Sequence, residues 1–258
     1  MDARREPLRE VGQEDAVSGP PEDLGRADGP SLADGPQPPA ARCLPEGLYL
    51  RQTASGLALA SAGMELRADF SSMLPRLRPD RLHRELLVRA AKLRGLDGAP
   101  TAVDGTAGLG EDSLLLATAG YKVTLFERDP VIAALLADGL ARAAGLPDLA
   151  PIVARMDLRV QDSVDGLGDL GFVPDLVFLD PMFPARRKDA ATRKKLQVLR
   201  LLEAPAADEE ALLAAALAAG PRKVVVKRPL KGPCLAGKKP SYQLRGKVVR
   251  YDCIVVPR

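Results

Sequence analysis

From Ala102 onward the chain alternates short apolar runs with helical stretches, and this alternation constrains its fold more than any other feature. Residues 102–104, 122–127, 158–161, 176–179 and 223–227 read as strands, each bounded by turn-forming residues. Helices are expected over 112–119, 131–144, 190–202 and 209–219. Alternating β and α units predict an α/β fold, a mainly parallel sheet covered by helices on both faces. A closing hairpin, residues 242–244 and 248–256 around Arg245-Gly246-Lys247, adds an antiparallel edge strand. Upstream, residues 47–70 read as a small β-meander, and 81–94 as a helix with Leu82, Leu86, Leu87, Ala90 and Leu93 on one face. At 258 residues this is enough for one α/β domain and an accessory segment. With 3% aromatic residues and no Trp, Leu, Ala and Val must fill the core.

The expected organisation is a tail over 1–42, a small β segment over 43–80 and the α/β domain over 81–258. The tail is rich in Pro, Gly and acidic side chains without apolar period, the composition of a disordered segment. It shows neither the apolar core of a signal peptide nor the acid-poor character of a transit peptide. Cys43, Cys234 and Cys253 are scattered without metal-ligand spacing, which argues for a reducing compartment and no metal. No apolar run is long enough to span a bilayer, so a cytoplasmic protein is expected. We also expect a monomer. The net charge of +3 conceals an asymmetry: acids dominate before residue 42, and Lys and Arg from Arg186 onward. Clusters at Arg186-Arg187-Lys188, Arg193-Lys194-Lys195, Lys227-Arg228, Lys238-Lys239 and Arg245-Gly246-Lys247 suit a polyanionic partner, although each alone also fits a solvated face.

In open α/β sheets ligands bind beyond the carboxyl ends of the strands. The first such end carries Asp104-Gly105-Thr106-Ala107-Gly108-Leu109-Gly110. Gly108 and Gly110 permit a tight turn and close approach of a ligand, with the next helix directing free N–H groups to the same place. Gly108-x-Gly110-x-x-Ser113 is close to a dinucleotide fingerprint, and Glu127 after the second strand suits a ribose in either of two cofactors. Asp104 favours S-adenosylmethionine, which has no pyrophosphate to repel it and carries an ammonium. Asp162-Ser163 after the third strand would lie near the adenine; simple loop solvation explains Asp162 equally well.

The fourth apolar run ends in Asp180-Pro181-Met182-Phe183-Pro184. Enzymes that methylate an exocyclic base amine use such a segment. The carboxylate and a prolyl carbonyl accept from the amine while the aromatic ring stacks on the base. Asp and Pro are also ordinary strand-end punctuation.

Taken together, the 104–110 turn, Phe126-Glu-Arg-Asp-Pro130, the helix 131–142, Leu179-Asp-Pro-Met-Phe-Pro184 and Val225-Val-Lys-Arg-Pro229 resemble the bacterial small-subunit ribosomal RNA methyltransferase J family. The similarity runs from about Arg84 to Asp252. It implies a Rossmann-like class I methyltransferase fold and transfer of methyl from S-adenosylmethionine to the 2-amino group of one guanosine in 16S rRNA. It also implies that Glu111, Asp112, Glu127, Arg128, Asp162, Ser163 and Asp180 match cofactor positions. The family usually has Ala at Gly105 and Arg at Glu111, and can carry Ser at Asp162. At Met182 related amine methylases often have a second Pro.

The expected chemistry is in-line methyl transfer, with Asp180 and the Pro181 carbonyl orienting the amine and Phe183 stacking on an unstacked guanine. Lys227 and Arg228 are expected on the same rim, touching phosphates with Arg186, Arg187 and Lys188. His83, the only histidine, precedes the cofactor turn and reads as structural. Three rivals remain at this point: an amine methyltransferase with another substrate, such as another RNA, DNA or a protein amide; a nicotinamide oxidoreductase; and a non-catalytic RNA-binding factor.

Overall fold

A computed structural model describes residues 44–61, 64–96, 98–181 and 208–257. The expected tail and the expected helix over 190–202 lie outside them.

Three short strands, β1 (Tyr49–Thr53), β2 (Gly56–Ser61) and β3 (Met64–Leu66), form an antiparallel sheet as the alternating pattern predicts. Short helices α1 (Leu74–Leu77), α2 (Pro79–Leu82) and α3 (Leu86–Ala91) follow. The single helix expected over 81–94 is therefore broken. Glu85 takes an extended conformation (ψ 126°), and Arg76 donates to both of its carboxylate oxygens at 2.8 and 2.9 Å.

The main sheet contains β4 (Thr101–Asp104), β5 (Lys122–Phe126), β6 (Met156–Arg159), β7 (Leu176–Leu179), β8 (Lys223–Pro229), β9 (Tyr242–Arg245) and β10 (Val249–Val255). Their order across the sheet is β6-β5-β4-β7-β8-β10-β9. The first five are parallel, and β10 is antiparallel to both β8 and β9. The chain thus leaves β4 in one direction to β5 and returns on its other side to β7, which makes the β4–β7 boundary the switch point. Two strand expectations change. The third parallel strand begins at Met156, because its alternating Met-Asp-Leu-Arg suits a half-covered edge rather than an apolar run. The hairpin contributes two strands, with the later one, β10, inside the sheet and β9 on the edge.

Helices α4 (Glu111–Thr118), α5 (Pro130–Ala144), α6 (Ala150–Val153), α7 (Ser163–Gly168) and α8 (Glu209–Ala218) are the remaining described α-helices. Local chemistry sets α5: the Asp129 carboxylate accepts from the Val131 and Ile132 N–H groups, and Pro130 opens the helix. Successive strand residues point to opposite faces. Ala102, Leu176, Phe178, Val225 and Cys253 pack with Leu87, Leu114 and Leu115 on one side. Val103, Val177, Leu179, Val224 and Val226 pack with Leu212, Leu213 and Ala216 on the other. The small sheet buries Leu59 and Leu66 against Val131, Ile132 and Leu135 of α5 and against Leu109. Among the described residues no helix is long and apolar enough to cross a membrane.

Candidate active site

The switch point is built by the turn after β4. Asp104 is buried; its Oδ1 accepts from the Thr106 N–H at 3.0 Å and its Oδ2 from the Ser113 hydroxyl at 2.5 Å. The carboxylate therefore closes the turn that follows it and ties it to α4. Gly108 and Gly110 have positive φ, 54° and 78°, as the tight turn demands. At Gly110 a Cβ would lie 2.7 Å from Leu136 Cδ1 and 3.2 Å from Phe70 Cζ, so crowding as well as φ selects glycine. Thr106, which the sequence reading passed over, accepts from the Asp180 N–H at 2.6 Å through its hydroxyl. It fastens the β4 turn to the end of β7.

Glu127 is buried at the end of β5, where its two oxygens accept from the Gly108 N–H at 2.9 Å and the Asp129 N–H at 2.8 Å. This holds its carboxylate at the strand end beside the 108–110 turn. Asp162 caps α7 by accepting from the Val164 N–H at 2.8 Å and faces Arg128 at 3.4 Å, while Ser163 is buried beside it. Glu111 and Asp112 occupy the first turn of α4. Asp180 follows β7, and Pro181 is buried behind it. Phe183, Arg186, Arg187 and Lys188 lie outside the described residues.

Lys227 stands beside Asp180, as its place at the end of β8 predicts, but its ammonium and the Arg228 guanidinium are engaged by carboxylates of the fold. Lys227 Nζ lies 2.6 Å from Asp112 Oδ2 and 2.9 Å from Asp180 Oδ2, bridging two site carboxylates. Arg228, adjacent on the strand, points to the opposite face. Its side chain is fully buried, with Nη1 3.1 Å from Glu209 Oε1 and Nε donating to the Pro233 carbonyl at 3.0 Å. Arg228 is closed off from solvent, and Lys227 is only partly exposed. Tyr251, also missed by the sequence reading, pairs with Lys227 across β8 and β10 and is buried against the same charges.

Electrostatics follow from this convergence. Burial pushes the Asp104 carboxyl up to about 7, opposed by the Ser113 and Thr106 hydrogen bonds and reinforced by the charges of Asp112 and Asp180. Burial and the nearby Asp112 also raise Asp180, against the downward pull of Lys227. For Lys227, burial works against the charge, yet Asp180 and Asp112 outweigh it and hold the ammonium protonated beyond its ordinary range. Burial raises the Tyr251 phenol, with Asp112 adding to the effect. Acids thus line the cleft where a dinucleotide would place its pyrophosphate, whereas a ligand carrying an ammonium and a sulfonium fits them. Among the described residues no group of three or more His, Cys, Asp or Glu side chains is arranged to hold a metal ion.

Residues 45–256 match the family described as "Putative SAM-dependent methyltransferase". A ribosomal RNA small subunit methyltransferase J from Alkalilimnicola ehrlichii is 45% identical over 241 residues, covering 88% of this chain and 87% of the relative. The protein of the same name from Thioalkalivibrio sulfidiphilus is 48% identical over 176 residues, 67% of this chain and 69% of the relative. Among solved structures, a SAM-dependent methyltransferase from Neisseria gonorrhoeae superposes with a TM-score of 0.64 at 33% identity, covering 86% of each chain.

Proposed function

Since the chain belongs to the ribosomal RNA small subunit methyltransferase J family of S-adenosylmethionine-dependent methyltransferases, we propose that it methylates the 2-amino group of a guanosine in 16S rRNA. We place this work in the cytoplasm, on the small ribosomal subunit. The observation that carries the reading is the Asp112–Lys227–Asp180 bridge at the switch point. It fixes the first residue of Asp180-Pro181-Met182-Phe183 beside the cofactor turn.

In this reading Asp104, Asp112 and the 108–110 turn hold the amino-acid end of the cofactor, Glu127 its ribose, and Asp162 and Ser163 border the adenine. The neighbouring Glu111 and Arg128 complete the walls. When bound, the cofactor supplies an electrophilic methyl group on a good, neutral leaving thioether. The protein's share is orientation and charge. Lys227 holds one oxygen of Asp180, so the carboxylate meets the incoming amine in one orientation. Asp180 and the Pro181 carbonyl accept from the amine and favour the positive charge that grows on nitrogen. As the nitrogen gains methyl it loses one proton, and Asp180, raised above the usual carboxylate range, is placed to accept it. Phe183 stacks on the extruded guanine.

The test compares radiolabelled methyl incorporation into small subunits from a deletion strain, naked rRNA and DNA. Incorporation at one 16S guanosine that disappears in Asp180→Ala, with cofactor binding retained, is the expected result. Equal labelling of DNA, or full labelling by Asp180→Ala, would overturn it. The acidic cleft disfavours the nicotinamide reading, which predicts tight dinucleotide binding by calorimetry.

A further inference from the structure

Lys227 and Arg228 are paired with carboxylates inside the fold, so exposed cations elsewhere on the rim are the candidates for phosphate contact. The structure brings two separate basic segments together on the rim of the cleft. Helix α3 packs on β8, β9 and β10 and runs against the parallel strands. At its far end, Lys223 Nζ at the start of β8 donates to the Ala90 and Lys92 carbonyls at 2.9 and 2.7 Å. At its near end, Leu86 lies under the β9–β10 turn: a Cβ at Gly246 would come within 2.6 Å of Leu86 Cδ1. The residues that precede Leu86 are therefore on the carboxyl-end rim, where Asp180 sits.

The turn is on that rim too. Leu230 N–H, three residues after Lys227, donates to the Val248 carbonyl at 3.2 Å, and Gly246 N–H closes the turn on Val249 at 2.8 Å. On the cleft side, Arg76 is paired with Glu85 just before α3, and Tyr251 pairs with Lys227 across β8 and β10.

This wall exposes Arg78, Arg81 and Arg84 from the helical segment and Arg245 and Lys247 from the turn. Arg78 and Arg81 share one acid, Asp80, at 3.5 and 3.7 Å, with all three side chains at least 60% exposed. Such contacts are weak and readily exchanged for a phosphate. Arg245 donates to the neutral Gln243. Among the described residues no carboxylate pairs with Arg84, Arg245 or Lys247. Val248, 79% exposed beside them, gives the tip of the turn an apolar surface.

We propose that the wall formed by residues 78–84 and the 245–248 turn grips the sugar–phosphate backbone of the RNA beside the methylated base. The proposal rests on the RNA methyltransferase reading and names the surface that reading requires. Phosphate contacts of this kind position the substrate and add salt dependence without reading sequence.

The experiment measures binding of a 16S rRNA transcript against salt concentration, together with methyl transfer kinetics on small subunits. It uses wild type, Arg84→Glu/Arg245→Glu/Lys247→Glu and the milder triple Gln variant, which guards against misfolding of the reversed one. The surface predicts at least a tenfold weaker RNA affinity in the Gln variant. Because three phosphate-binding cations are removed, the slope of log K against log salt should flatten by about 2. KM for subunits should rise, with kcat at saturation and cofactor affinity unchanged. Wild-type affinity and slope in the folded Gln variant, with methylation intact, would overturn the surface. Salt-sensitive RNA binding that disappears in the variants, from a wild type that never methylates rRNA, would instead sink the proposed activity and leave the surface standing.

Discussion

Replacing Lys227 by Met tests the site most directly, because it removes the cation that joins Asp112 to Asp180 and keeps an unbranched side chain only one atom shorter. The ammonium lies 2.6 and 2.9 Å from the two carboxylates. At an effective dielectric of about 20, a pair at roughly 4 Å is attracted by ~4 kcal/mol before desolvation. Removing one partner of a fully buried pair costs about 3–5 kcal/mol. Here the side chains of Lys227, Asp112 and Asp180 are 24, 21 and 37% exposed, so solvent screens part of the loss and about 2 kcal/mol is the reasonable figure. If that energy orients Asp180, kcat/KM at pH 7 falls about 30-fold. The pH profile supplies the sign. Lys227 pulls the Asp180 pKa down, so its removal leaves Asp180 protonated over more of the range. A protonated carboxyl is a poorer acceptor, and activity of Lys227→Met should recover as pH rises toward 9. Cofactor affinity should hold or improve, since the cleft has lost a positive charge; Lys227→Arg should restore the neutral-pH rate. The assay is methyl incorporation into deletion-strain subunits between pH 6 and 9, with calorimetry for the cofactor. A folded Lys227→Met with wild-type kcat/KM and an unchanged profile would refute the bridge as the device that holds Asp180.

Other perturbations probe the frame around it. The Asp104 carboxyl, raised to about 7 when folded, binds its proton more tightly in the native state. Its contribution to stability is present below about pH 4 and lost as pH rises through about 7; relative to Asp104→Asn, wild type should lose on the order of 4 kcal/mol across that window in urea titrations. Gly110→Ala forces a side chain into φ +78° and against Leu136 and Phe70; a loss of about 2–3 kcal/mol is expected, and less than about 0.5 would show that the turn relaxes freely. Arg228→Met breaks a pair with the partly exposed Glu209 and should cost about 2 kcal/mol of stability. Its RNA salt slope should match wild type; a flattened slope would return Arg228 to the phosphate-binding role that its sequence position suggests.

Most of the fold is legible in the sequence because its signals are local. The buried run Leu176–Leu179, the capping Asp129-Pro130 and the paired Gly108 and Gly110 each dictate a strand, a helix start or a turn within a few residues. Asp104, Glu127 and Asp180 follow the same logic, since each stands at the end of a strand of a parallel sheet and ligands bind at that end. Edges are less legible. At β6 neighbours rather than apolar content define the strand, and β10 is interior only because it pairs with β8 before β9 is added. The basic pair Lys227-Arg228 marks the limit. As a run of charge it reads as a phosphate-facing rim. In the sheet the two-residue period sends the neighbours to opposite faces, Lys227 toward Asp112 and Asp180, Arg228 toward Glu209. The sequence by itself determined which strand ends carry acids and glycines. Only the tertiary structure decided that Asp112 and Asp180 share Lys227 while Arg84, Arg245 and Lys247 stay exposed, because that choice depends on packing between segments as far as 115 residues apart.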